Sequence, residues 1–180
     1  MKLMIASDIH GSAYYCEQLM NCVQKEKPDK ILLLGDLLYH GPRNDLPRGY
    51  DPKKVISMLN SAKSDILCVR GNCDTEVDQM VLEFPVLADY ALLCIDGCTL
   101  YATHGHVYNE SNILPAAENS ILLGGHTHVP GYKKTGSILY VNPGSVSIPK
   151  NGSQNQYLIF ENRQFIFKNL SSDILDCLAV

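Results

Sequence analysis

A chain of 180 residues with 46% hydrophobic side chains is long enough to bury one sizeable core, and residues 1–180 are read as a single domain. Its formal charge of −4 and the lack of clustered Lys and Arg exclude a general nucleic-acid-binding surface, which has to neutralise phosphates. No apolar run approaches the ~20 residues that cross a bilayer. The opening MKLMIASDIHG is too short in its apolar part for a signal peptide, and cleavage there would destroy candidate site residues. The seven cysteines are odd in number and form no C-x-x-C pair, which fits a reducing compartment; a soluble, cytoplasmic protein is expected.

The first half alternates strand-like and helix-like segments. Lys2 to Ala6 reads as a strand, and Ala13 to Lys27 as a helix with Tyr15, Leu19, Cys22 and Val23 at helical spacing before Pro28 stops it. Ile31 to Leu34 is the next strand. Pro52 to Ala62 carries Val55, Ile56 and Leu59 on one face, with Asp51 as N-cap and Pro52 in the first turn. Ile66 to Val69 is a third strand. Strand, helix, strand, helix, strand with short joints predicts a parallel sheet whose ligands gather beyond the carboxyl ends of its strands.

After Pro85 the pattern changes to strands joined by brief turns. Tyr90 to Ile95 and Thr99 to Thr103 flank the hairpin signal Asp96-Gly97. Ile121 to Leu123 leads into GGHTH, Gly131 to Thr135 and Ile138 to Val141 surround Gly136, and Gln156 to Phe160 and Gln164 to Phe167 surround Glu161 to Arg163. This half predicts a largely antiparallel sheet. Two sheets packed face to face with helices outside would bury both. The apolar tail DILDCLAV would pack on the domain or on a second copy in a homo-oligomer.

The chemistry is concentrated in five short blocks, ASDIHG, LLGDLLYHG, RGNCD, ATHGH and GGHTH, which hold all six histidines. Four of them follow an apolar run, so Asp8, His10, Asp36, Asn72, His104, His126 and His128 fall at strand ends. Asp8 and His10 are two apart, as are His126 and His128, and on an extended strand end such pairs point the same way. Gly35 lets the chain turn tightly and brings Asp36 to the sheet edge, where a carboxylate can bridge two cations. Asn72 offers a neutral amide oxygen, and His104 adds another strand-end imidazole. One such pair is common in surface loops. So many in one chain point to a metal site, and to two metals rather than one.

The order D-x-H, G-D, G-N, H, G-H-x-H resembles the calcineurin-like metallophosphoesterase superfamily over Asp8 to His128. RGNCD, the HGPRNDLP segment and NPGSVSIPK are closest to its small bacterial phosphodiesterases. The resemblance implies an α/β fold of two packed mixed β-sheets flanked by helices, a four-layer α/β/β/α sandwich. It implies that Asp8, His10, Asp36 and His128 hold one divalent ion and that Asp36, Asn72, His104 and His126 hold another, with Asp36 as the bridge. Oxygen and nitrogen donors without thiolate suit Mn²⁺, Fe, Zn²⁺ or Ni²⁺ better than Ca²⁺, and Mn²⁺ is what the family implies. Two cations about 3.5 to 4 Å apart hold a bridging hydroxide as nucleophile for in-line attack on phosphorus. The expected activity is hydrolysis of a small phosphodiester.

Many relatives place a histidine after the Asn of the third block, where this chain has Cys73. Without that general acid, leaving groups that need little protonation, such as aryl esters, are expected to be favoured. Asp74 is expected to orient a neighbour. His106 is the free histidine nearest the ligands by sequence, and Arg43, near His40 in the loop after Asp36, has a guanidinium suited to two phosphoryl oxygens. NPGSVSIP reads as structural bracing, and Tyr14 and Tyr15 as helix packing. The alternatives are a phosphomonoesterase on small esters, since the same metals serve both, and a protein-binding scaffold like the retromer small subunit, whose fold is similar.

Overall fold

The computed structural model describes residues 1–180. Strands β1 (Leu3–Ala6), β2 (Lys30–Leu33) and β3 (Ile66–Cys68) alternate with helices α1 (Ala13–Glu26) and α2 (Pro52–Ser61). A short helix α3 (Glu76–Val81) follows β3. Ser12 caps α1 by accepting the Tyr15 N–H, and Lys27 ends it in a left-handed conformation. Asp51 caps α2, with Pro52 in its first turn.

The remaining strands are β4 (Ala91–Ile95), β5 (Cys98–Ala102), β6 (Ile121–Leu123), β7 (Gly131–Thr135), β8 (Ile138–Asn142), β9 (Gln156–Glu161), β10 (Gln164–Asn169) and β11 (Ile174–Ala179). They form two mixed sheets, ordered β11-β10-β9-β1-β2-β3 and β4-β5-β6-β8-β7. β1, β2 and β3 are parallel, and β9 pairs antiparallel with β1. In the second sheet β5, β6 and β8 run parallel, with β4 and β7 antiparallel at the edges. The second half is therefore not one antiparallel sheet: its last three strands extend the first sheet, and a parallel trio forms the centre of the other. Strand pairing of this kind is non-local, and hydrophobic alternation does not encode partners.

Alternation does decide which face each side chain covers. From β1, Leu3 and Ile5 enter the core between the sheets, while Met4 and Ala6 face the helices. β9 sends Leu158 and Phe160 inward, and Tyr157 and Ile159 to Cys16, Leu19 and Cys22 of α1 and Val55 and Leu59 of α2. On the outer face of the second sheet, Leu122, Ile138 and Tyr140 are covered by Tyr108, Ile113, Leu114 and Ala116, which belong to irregular chain between β5 and β6. The two mixed sheets flanked by helices match expectation, and loop covers the outer face of the second sheet. The tail forms β11, an edge strand paired to β10.

Candidate metal centre

Loops leaving β1, β2, β3, β5 and β6 meet at one end of the two sheets. They bring all seven expected ligands together. His128 Nε2 lies 3.2 Å from Asp8 Oδ1, and His10 Nε2 lies 3.5 Å from the same oxygen. Asp36 Oδ2 is 3.4 Å from His104 Nε2 and 3.7 Å from His10 Nε2. Asn72 Oδ1 is 3.1 Å from His104 Nε2, and donor atoms of Asp36, His104 and His126 lie within 4.8 Å of one another. Asp36 Oδ2 is the edge common to both groups, because Oδ1 already accepts the Cys73 N–H at 2.8 Å.

The local backbone differs from the extended strand ends expected. Asp8, His10, Asp36, His126 and His128 have φ of 60°, 48°, 56°, 65° and 61°. Each pair converges through left-handed turns, a region that Asp and His tolerate better than most residues. Two glycines permit the close approach. A Cβ on Gly71 would sit 2.1 Å from Asp36 Oδ1, and one on Gly125 would sit 2.0 Å from Ser7 Oγ.

Buried hydrogen bonds hold these turns. Asp74 accepts from the N–H groups of Asp36 and Gly71, both at 2.7 Å, and of Leu37 at 2.9 Å, so the expected orienting role falls on the Asp36 turn. Ser145 Oγ and Ser147 Oγ donate to the Asp8 carbonyl at 2.9 and 3.0 Å. Asn142 Nδ2 donates to the Gly125 carbonyl at 2.8 Å. NPGSVSIP is thus a brace for the Asp8 turn. Its serines were missed as individual contributors because two hydroxyls in a turn carry no spacing signal of their own.

The centre fits cations on its own chemistry. His10, His104 and His128 place Nδ1 2.7, 2.7 and 2.6 Å from the carbonyls of Tyr39, Leu34 and Ile148. A carbonyl only accepts, so each Nδ1 carries the proton and each Nε2 turns a lone pair inward. His10 Nε2 and His128 Nε2 face each other at 3.2 Å, and Asp8 Oδ1 is buried with no hydrogen-bond partner. Converging lone pairs of this kind repel unless a cation stands among them.

Charge within the cluster agrees. Burial acts to raise the Asp8 carboxyl, yet His10, His128 and His104 outweigh it and hold it far below the usual carboxylate range. Burial alone would lower the His104 imidazole, but Asp36 and Asp8 push it up to about 9, so without a cation a proton sits on the Nε2 that a metal ion would displace. Burial and the neighbouring His104 lower both His106 and His126.

The other expected residues fall around this cluster. Cys73 is buried beside Asp36 and His10, and burial together with the Asp36 carboxylate pushes its thiol up to about 12. The exposed His106 ring lies 5.4 Å from that of His104 and 6.2 Å from that of His126. Arg43 lines a cavity of about 400 Å³ shared with Asp36, Asn72, His126 and His128. Lys150, which the sequence reading did not single out, lines it too. His40 packs between Tyr39 and Tyr50. The Arg48 Cζ lies over the Tyr14 ring, 3.7 Å from the ring centroid.

A phosphoesterase class is defined by this fold and ligand cluster: residues 1–164 match the calcineurin-like phosphoesterase superfamily domain, and the chain belongs to that superfamily as a hydrolase. The family implies divalent metal ions. The chain is 44% identical over 162 residues to Phosphodiesterase YfcE of Escherichia coli (strain K12), covering 90% of this chain and 88% of that protein. The solved structure of E. coli YfcE, described as a phosphoesterase, has a TM-score of 0.95, 42% identity and coverage of 99% of each chain. Probable metallophosphoesterase YsnB of Bacillus subtilis (strain 168) is 25% identical over 166 residues, 88% of this chain and 83% of that one. Vacuolar Protein Sorting 29 from Cryptosporidium parvum, with a TM-score of 0.63, 14% identity and coverage of 99% and 98%, shares the fold alone. No helix is long and apolar enough to cross a membrane.

Proposed function

We propose that residues 1–180 act as one metallophosphoesterase domain that hydrolyses a small phosphodiester with two divalent ions. The observation that carries this reading is Asp36 Oδ2, which faces His10 Nε2 on one side and His104 Nε2 on the other. Asp8, His10, Asp36 and His128 hold one ion; Asp36, Asn72, His104 and His126 hold the other. When bound, two such ions polarise a phosphoryl oxygen and lower the pKa of the attacking water. Oxygen and nitrogen donors suit Mn²⁺, with Fe, Zn²⁺ or Ni²⁺ as substitutes. A relative named as a phosphodiesterase at 44% identity supports the diester over a monoester. Seven unpaired cysteines support a cytoplasmic setting.

The chain's own groups position the substrate. Arg43, on the wall of the cavity beside the ligands, offers paired N–H donors to a phosphate of the substrate. His106, exposed beside the ligand cluster with its ring 5.4 Å from that of His104, donates a ring N–H to a substrate oxygen. Cys73 stays a thiol near neutral pH, so it contacts substrate without acting as a base. With no strong acid beside the departing oxygen, aryl leaving groups are favoured.

The test is hydrolysis of bis(4-nitrophenyl) phosphate beside 4-nitrophenyl phosphate by metal-stripped protein with and without Mn²⁺. Diester turnover that needs the ion and is lost in Asn72→Ala is expected. Preference for the monoester would replace the reading with a phosphatase, and failure on both with two ions bound would overturn it.

A further inference from the structure

His126 and Thr127 stand on a wall between two cavities, and both residues line each of them. One is the cavity of about 400 Å³ that holds Arg43 and Lys150; the other, of about 640 Å³, lies toward His106, Tyr132 and Asn151. A diester has two arms leaving one phosphorus, and two cavities beside one ligand cluster give each arm a place.

The cavities differ in charge. In the larger one, Lys133 is paired with Glu110 at 3.3 Å, so its wall is balanced. In the smaller one, neither Arg43 nor Lys150 takes part in any ion pair of the molecule. The only carboxylate lining it, Asp36, is directed at His10 and His104. Pro42 and Cys73 are its only apolar lining residues, so an unsubstituted hydrocarbon or aryl arm gains little there. The two cations are held by different loops. Asn44 fixes the first by donating Nδ2 to the His40 carbonyl at 2.8 Å, and the Lys150 N–H donates to the His128 carbonyl at 3.1 Å.

We infer that the substrate carries a second phosphate on one of its two ester arms, bound by Arg43 and Lys150. Two unpaired cations match the charge of about −1.5 to −2 of a phosphate monoester at neutral pH, and a guanidinium beside an ammonium is a common way to hold one. The inference rests on the phosphodiesterase reading and specifies its substrate class.

The experiment compares two chromogenic diesters that differ by one group: the 4-nitrophenyl ester of thymidine 5′-phosphate and the same ester carrying a 3′-phosphate. kcat/KM is expected to favour the phosphorylated ester on the order of tenfold. Lys150→Gln should shrink that ratio and Arg43→Gln with Lys150→Gln should bring it to about one. A purely structural role would lower both rates and leave the ratio alone. A wild-type ratio of one or less, or a ratio unchanged in the double variant, overturns the inference. Binding separates its failure from that of the parent reading: thymidine 3′,5′-bisphosphate should bind more tightly than thymidine 5′-monophosphate in calorimetry, and the advantage should vanish in the double variant. That result without turnover of either diester would remove the phosphodiesterase reading and leave the anion site standing; no advantage in wild type would remove the anion site.

Discussion

The Asp74 carboxylate binds the Asp36 backbone N–H at 2.7 Å, and its second oxygen binds that of Leu37 at 2.9 Å, so a residue outside the ligand set fixes the turn that carries the shared ligand. Asp74→Asn exchanges one acceptor oxygen for an N–H donor that faces backbone N–H groups. Stability is expected to fall by about 2 kcal/mol, and Mn²⁺ affinity by about 10- to 100-fold. Thermal melts and calorimetric titration measure the two effects; unchanged affinity would remove Asp74 from the support of the centre.

Metal occupancy should be visible in stability. Each ion at about 100 times its Kd adds about 2.7 kcal/mol, so two ions on a chain of this size raise Tm by roughly 10–20 °C. A chelator should reverse the rise. Asp36→Asn should lower the stoichiometry from two ions to one and cut diester turnover by at least about 100-fold. Two ions retained in that variant would exclude Asp36 as the bridge.

Cys73 should behave as a buried thiol. A thiol reagent is expected to modify the exposed Cys94 and Cys177 quickly and Cys73 slowly in the folded protein. Cys73→His supplies the missing acid, so it should accelerate esters with alkyl leaving groups by about 10-fold or more while changing 4-nitrophenyl esters little. An unchanged dependence on leaving-group pKa would refute the role given to this position.

Glu26 provides the acid limb of stability. Burial acts to raise its carboxyl, but hydrogen bonds and charge from Lys168 and Lys2 outweigh it and lower it below its ordinary value. A depressed carboxylate stabilises the fold above its unfolded pKa, and that contribution is lost as pH falls through the folded one. Glu26→Gln should cost about 1–2 kcal/mol at neutral pH. The variant and wild type should converge at acid pH, which denaturant unfolding across a pH series would measure. A constant gap would assign the loss to packing.

The ligands were legible because each stands within a few residues of the point where an apolar run meets a glycine, a pattern that survives without knowing how strands pair. Their approach was not: the alternation argued for Asp8 and His10 gives way to left-handed turns braced from Ser145 and Ser147, residues more than 130 positions away. α3 went unread because Glu76–Val81 buries no residue and so shows no apolar stripe. β11 went unread because Ile174–Ala179 is almost wholly exposed and owes its extended form to pairing with β10. Lys150 carried no signal because a cation on a turn matters only through the cavity that tertiary contacts build around it.

Five of the seven donors occupy backbone angles at which glycine would be more comfortable. A library screened for heat resistance alone in the presence of a chelator, where no ion offsets the congestion of donors, should therefore enrich glycine at Asp8, His10, Asp36, His126 and His128, each exchange relieving on the order of 1 kcal/mol of torsional cost. Thermal selection without an activity screen is expected to erode this centre before it touches the core, and any stabilising programme for the protein has to hold these five positions fixed.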